Sequence, residues 1–203
     1  IEHTQFDTVY HEHFSYLSIY TVERIFKAAD LRIYDVEQLS THGGSLRIYG
    51  CHVEDARTST EAAATLMVEE AQRGLQSLAI YQNFQVRANK VKDDLLSFLI
   101  EQKLAGKKIA AYGAAAKGNT LLNYAGVKPD LLPFVCDAAV AKHGKYMPGS
   151  HIPIVHPDAI KKSQPEYVLI LPWNLGEEIE DQLAFIRQWD GKFVTAIPRL
   201  EIN

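Results

Sequence analysis

The stretch K-K-I-A-A-Y-G-A-A-A-K-G-N-T, Lys107 to Thr120, carries a short apolar run straight into a turn built of small residues. Residues 107–113 read as a strand and 118–125 as a helix, so the glycines between them mark a tight strand-to-helix turn. The same grammar continues downstream. L-P-F-V-C-D (132–137), I-P-I-V (152–155), Y-V-L-I-L-P (167–172) and K-F-V-T-A-I (192–197) are short apolar strands, with helical segments at 157–162 and 175–189. Strands of this kind, alternating with helices and joined right-handedly, imply a mostly parallel sheet with helices on both faces. The expected fold class is α/β, with a Rossmann-like domain over 106–203.

Upstream the pattern changes. From about 55 to 105 the chain reads as a helical linker, an alanine-rich helix over 60–81 and a second over 83–103, with Gly74 the one glycine inside it. Before it, L-R-I-Y-D-V-E-Q-L (31–39) and S-L-R-I-Y-G-C-H (45–52) alternate with period two around Thr41-His42-Gly43-Gly44, which predicts a hairpin. Ser18 is placed to cap a helix ending near Asp30.

Within the decisive turn, Gly113, Ala115 and Gly118 keep the G-x-G-x-x-G spacing, with alanine in place of the middle glycine. Such a turn lets backbone N–H groups and a helix N-terminus face a phosphate, and Lys117 would add a mobile positive charge. Gly113, Ala115, Lys117, Gly118 and Asn119 are therefore candidate substrate-binding positions, against the alternative of a turn needed only for packing. A β-carbon at 115 hinders a dinucleotide pyrophosphate, which favours a mononucleotide or a nucleotide sugar. Asp137, ending the next strand, stands where such folds bond a ribose hydroxyl. Two further segments follow strand ends: K-H-G-K-Y-M-P-G (142–149), with Lys145 and Tyr146, and L-P-W-N (171–174), with Trp173 and Asn174. The first reads equally as a solvated loop, and Trp173 equally as a core residue.

Composition narrows the partners. Lys+Arg 21 against Asp+Glu 25 leaves a formal charge of -4 with no basic run, which argues against nucleic acid. Two cysteines far apart, Cys51 and Cys136, suit a reducing compartment and offer no zinc framework. With no membrane-length apolar run and no signal sequence, a cytoplasmic location is the expectation. The chain opens on Ile1, and it reads as a piece of something longer.

Near that beginning stands F-D-T-V-Y-H-E-H-F-S-Y, Phe6 to Tyr16. Tyr10, His11, Glu12 and His13 admit three readings. His11 and His13, with His42 as a third ligand, would make a metal site, but no zinc-enzyme pattern accompanies them, and no metal ligand is assigned. Ordinary hydrogen bonding at a strand end is the second. General acid/base work is the third, since an imidazole titrates near neutrality and an adjacent phenol or carboxylate can orient it.

Taken together, F-D-T-V-Y-H-E-H-F-S-Y-L-S, T-H-G-G-S-L-R-I-Y, G-A-A-A-K-G-N-T and M-P-G-S-H-I-P-I resemble, in order and over nearly the whole chain, the S-adenosylmethionine-dependent C-methyltransferases of nucleotide-linked deoxysugars. In that family a zinc-binding module and a methyltransferase domain precede a Rossmann-like domain. The resemblance implies that 1–54 is the C-terminal remnant of the methyltransferase domain. It also implies that S-adenosylmethionine and zinc are bound mainly upstream, so that this fragment alone is inactive. It further implies methylation of a carbon next to the keto group of a nucleotide-bound keto-deoxysugar through an enolate, with His13 as base and Tyr10 and Glu12 orienting it and the sugar oxygens. Two alternatives stand beside it: a non-catalytic nucleotide-sugar or dinucleotide-binding module, and an NAD(P)-dependent sugar oxidoreductase or epimerase. Ala115 in the glycine turn argues against the latter.

Overall fold

Ser18 caps the first helix, α1 (Ile19–Ala28), its hydroxyl accepting from the Thr21 amide at 3.2 Å. Two more amides that open α1 are met by Glu70 of α2 (Glu61–Gln72): Ile19 N donates to Oε1 at 2.9 Å and Tyr20 N to Oε2 at 3.3 Å. Between these helices, β1 (Leu31–Leu39) and β2 (Ser45–His52) form the expected antiparallel hairpin, bulged between Ile33 and Asp35. Its inner face buries Ile33 and Val36 against Ile19, Ala63 and Leu66. The computed structural model describes residues 1–203, and they divide into two compact units. These helices and the hairpin belong to the smaller, Phe14–Asn83.

The helix expected over 60–81 ends at Gln72. Gly74 takes a left-handed φ of +81°, its amide donates to Ala71 O, and the Leu75 amide donates to Glu70 O, so α2 ends in a Schellman motif. The next helix, α3, runs Leu78–Leu104. The break between the two expected helices thus falls at 73–77 and not near 82.

The larger unit comprises Ile1–His13 and Phe84–Asn203. It holds β3 (Ile109–Tyr112), α4 (Ala116–Ala125), β4 (Val135–Cys136), β5 (Ile154–Val155), α5 (Asp158–Ser163), β6 (Tyr167–Ile170), α6 (Gly176–Gln182), β7 (Lys192–Thr195) and β8 (Glu201–Ile202). The sheet order is β5-β4-β3-β6-β7-β8, parallel except for β8. Counted from β3 this is 3-2-1-4-5-6, the Rossmann order, with its topological switch point between the C-terminal ends of β3 and β6. Alternation distributes the strand residues between two cores. Ile109, Ala111, Leu169, Leu171 and Val194 pack with α3 and α4, while Tyr112, Val168, Ile170 and Phe193 pack with α5 and α6.

At the switch point the turn is drawn tightly against the end of β6. Gly113 has φ +94°, and a β-carbon there would lie 2.3 Å from Pro172 Cδ; one on Gly118 would lie 2.6 Å from Leu171 Cβ. Close packing on the Pro172 and Leu171 side chains thus calls for both glycines, and the left-handed φ calls for Gly113 besides. The helix expected over 175–189 is α6 followed by a 3-10 stretch, Ala184–Trp189, which Asp190 ends in the left-handed region.

Candidate functional site

The chain's opening residues are fastened onto the α/β unit. Arg87 of α3 donates from Nη2 to Ile1 O at 2.8 Å and from Nε to Thr4 Oγ1 at 3.2 Å. A 3-10 turn, Phe6–Thr8, packs on α4, where the buried Phe6 ring meets Tyr124 at 5.0 Å between centroids. Beyond it the chain folds back on itself. Val9 N donates to Phe6 O, Tyr10 N to Thr8 O and His13 N to Tyr10 O. His13 Nδ1 lies 2.8 Å from the Thr8 carbonyl, and the Tyr10 ring lies 4.2 Å from the imidazole. A carbonyl oxygen only accepts, so this contact puts the proton on Nδ1 and leaves the lone pair of the neutral ring on Nε2. His11, Glu12 and His13 are exposed and Tyr10 is half-buried.

Behind that segment Lys117, Trp173 and Asn174, all candidates from the sequence, gather around Asp7, which was not one. Asp7, in the middle of the 3-10 turn, is fully buried, and its Oδ2 accepts from Trp173 Nε1 at 2.7 Å. Lys117 sits over the Trp173 ring, Nζ 4.7 Å from the centroid, and donates to Asn174 Oδ1 at 3.1 Å. Burial pushes the Asp7 carboxyl above the usual carboxylate range, against the Trp173 bond and the Lys117 charge. The same burial lowers Lys117, opposed by Asp7. Asp7 Oδ1 has no hydrogen-bond partner. Lys117, expected as a mobile charge, is thus held and nearly buried.

The glycine turn is braced from its other side. Asp137 Oδ2 accepts from Ala114 N at 2.8 Å and from Lys142 Nζ at 2.9 Å, and Oδ1 accepts from Ala139 N at 2.8 Å. Lys142 also donates to Ala114 O. Burial would raise the Asp137 carboxyl, but the Lys142 ammonium and the two amides outweigh it and hold it below the usual range. Ala115 N donates to Gly113 O at 2.9 Å. Two amides of the turn are therefore spent inside the chain. Asn119 is half-buried on α4, with Oδ1 unbonded; Lys145 and Tyr146 are exposed on their loop. His42 lies in the smaller unit, and no trio of His, Cys, Asp or Glu side chains gathers to hold a metal ion. Asp7 and the Thr8 carbonyl are what sequence reading missed; Lys142 stood in the candidate loop, but its pairing with Asp137 was not foreseen. A carboxylate beside the histidine motif was the only available hint of the first.

Residues 40–198 match the family described as the C-methyltransferase C-terminal domain. The chain belongs to that family. It is 33% identical over 198 residues to C-methyltransferase NovU of Streptomyces niveus, an alignment covering 98% of this chain and 47% of that protein. The chain thus spans about half the length of the curated relative it matches.

In this C-terminal domain an open hollow of about 440 Å³ follows β6, lined by Trp173, Asn174, Leu175, Gly176, Glu177 and Glu178. A second, of about 400 Å³, opens where Ile109 begins β3, the opposite edge of the sheet. Its lysines are already engaged, Lys103 with Asp130, Lys107 with Glu166 and Lys108 with Ser163 O. The first hollow is the better ligand candidate, because open α/β sheets bind at the carboxyl ends of their strands. Neither group implied by the resemblance finds its ligands here. The Gly113 turn has given its Ala114 amide to Asp137, so it is no ready cradle for S-adenosylmethionine, and no side-chain trio fits zinc. No helix is long and apolar enough to cross a membrane.

Proposed function

We propose that this chain serves S-adenosylmethionine-dependent methylation of a carbon next to the ketone of a nucleotide-linked keto-deoxysugar, as one portion of a longer cytoplasmic enzyme. Family membership and the relative's name support C-methylation. S-adenosylmethionine supplies the methyl group and, with zinc, is assigned to the rest of that enzyme.

The single observation that carries the residue assignment is His13 Nδ1–H bonded to the Thr8 carbonyl at 2.8 Å, in the same unit as the glycine turn. An imidazole so held is a general base in the required tautomer, oriented by a backbone acceptor as a catalytic histidine is by a carboxylate. His13 Nε2 takes the proton from the carbon, and the electrons of the broken C–H bond pass to the ketone oxygen as an enolate. Tyr10, stacked on the imidazole, and Glu12 are assigned to orienting the base and the sugar oxygens. The nucleotide end is assigned to the rim of the switch point: the Gly113, Ala115, Gly118 and Asn119 turn with Asp137, the Trp173–Asn174 hollow with Lys117 behind it, and the exposed Lys145 and Tyr146.

In the longer enzyme, His13→Asn should slow solvent-deuterium exchange at the sugar carbon by about 100-fold or more while nucleotide-sugar affinity by calorimetry stays within a few-fold. Exchange at the wild-type rate would remove His13 from the base role. The Rossmann strand order favours one other reading, a dinucleotide-binding module. It requires saturable NADH binding by this chain, which a fluorescence titration reads directly.

A further inference from the structure

Asp7 is an expensive residue to place where it is. A fully buried carboxylate with one neutral donor and one unbonded oxygen is less favourable than an apolar side chain of its size. Its surroundings are otherwise well packed: Phe6 on one side lies against Tyr124, and Thr8 on the other closes onto Gln5 through both its amide, 3.2 Å, and its hydroxyl, 2.8 Å. What the carboxylate adds is direction. The indole N–H of Trp173 points along a fixed line from the end of β6, and the ring that carries it is covered by Lys117, itself tied to Asn174.

We infer that Asp7 is a positioning residue for His13: anchored to Trp173, it sets the 3-10 turn whose Thr8 carbonyl holds the imidazole proton on Nδ1. The chain of contacts is short and lies within one unit. Trp173 Nε1–H holds Asp7; the next residue, Thr8, accepts from both Tyr10 N, 3.1 Å, and His13 Nδ1, 2.8 Å. One carbonyl therefore orients both the imidazole and the backbone of the tyrosine stacked on it. Loss of the Asp7 anchor frees that carbonyl to rotate, and the imidazole reverts to the tautomer balance of a solvated ring. Lys117 and Trp173 thereby act on the base from behind, in addition to any contact with ligand. The inference rests on the reading of His13 as the base for its catalytic meaning, but not for its geometry.

The test is nitrogen-15 NMR of the His13 ring in the 203-residue chain. In the wild type Nδ1 should resonate as a protonated nitrogen and Nε2 as one bearing a lone pair. Asp7→Ala should lower the ratio of Nδ1–H to Nε2–H ring at least about five-fold, the scale of one neutral hydrogen bond. Asp7→Asn, whose amide oxygen still accepts from the indole, should keep most of the ratio, and Trp173→Phe should lose it as Asp7→Ala does. An unchanged ratio in Asp7→Ala overturns the inference. So does loss of dispersed Val168 and Val194 methyl signals in both Asp7→Ala and Trp173→Phe, which would make the cluster purely structural. If the ratio collapses yet His13→Asn leaves deuterium exchange intact, the positioning of His13 stands and its assignment as base falls.

Discussion

Asp7 and Asp137 are both buried in the α/β unit, and both lie beside the glycine turn's own machinery, yet their carboxyls move in opposite directions. Asp137 is met by two backbone amides and a lysine ammonium, a donor set that repays its desolvation. Asp7 has one indole donor and an oxygen left over. The first is what a fold does with a carboxylate it uses as a brace. The second is a carboxylate tolerated at a cost, and such residues gather where geometry matters more than stability. Asp7 is the more deeply buried of the two and meets fewer donors, and both differences drive the carboxyls apart.

The sharpest way to break this contrast is to remove charge from Asp137. Asp137→Asn leaves Lys142 without its counter-charge and turns an amide group toward donors already present, so it should destabilise the chain by about 2–3 kcal/mol in urea unfolding at pH 7. The sign with pH follows from the depressed carboxyl. Its contribution is complete above the ordinary value of 3.8 and is lost as pH falls below that toward the folded value, so wild type and variant should converge in acid. Cys136, next in the chain, provides an independent reading. Burial pushes its thiol up to about 12. At pH 8 its thiolate fraction is then roughly a thousandfold below that of an ordinary thiol, and it should be alkylated only when the unit opens. Asp137→Asn should speed that alkylation; a rate equal to wild type would show that the brace bears no weight.

The brace was partly legible and the anchor was not, for a physical reason. Short continuous apolar runs announce these strands because alternate residues face two buried cores, and Val168 with Ile170 against Leu169 with Leu171 shows it. The strand-to-helix turn is announced by glycines that close packing on Pro172 and Leu171 requires. Asp137 stands at a strand end, where a functional carboxylate is expected, so its position was readable although Lys142 and Ala114 as its partners were not. Helix ends were less visible. Gly74 was noticed, but nothing local separates a tolerated helical glycine from one that terminates by a left-handed turn. The pairing of Asp7 with Trp173 spans 166 residues, and no periodicity or spacing encodes a contact of that range. Tyr10 to His13 drew attention by residue type and by the family resemblance. What turns that group into a candidate base is a backbone carbonyl, and every residue has one.

A smaller effect of opposite sign completes the comparison. The raised Asp7 carboxyl means that the folded chain holds this proton more tightly than the unfolded chain does, so its contribution to stability is complete below 3.8 and is lost as pH rises through the folded value. At neutral pH the ionised group is a burden. Asp7→Asn removes the charge and keeps an acceptor for the Trp173 indole, and it should therefore leave the chain slightly more stable at pH 7, by about 1 kcal/mol or less. Loss of the Lys117 attraction limits that gain, because Lys117 is itself desolvated and its charge is supported by Asp7. Urea unfolding at pH 7 and at pH 3 measures both parts: a gain at pH 7 that disappears at pH 3 marks a carboxylate kept for positioning. A loss at pH 7 comparable to that of Asp137→Asn would mean that the Lys117 and Trp173 contacts repay the burial of Asp7 in full, and the contrast between the two aspartates would dissolve.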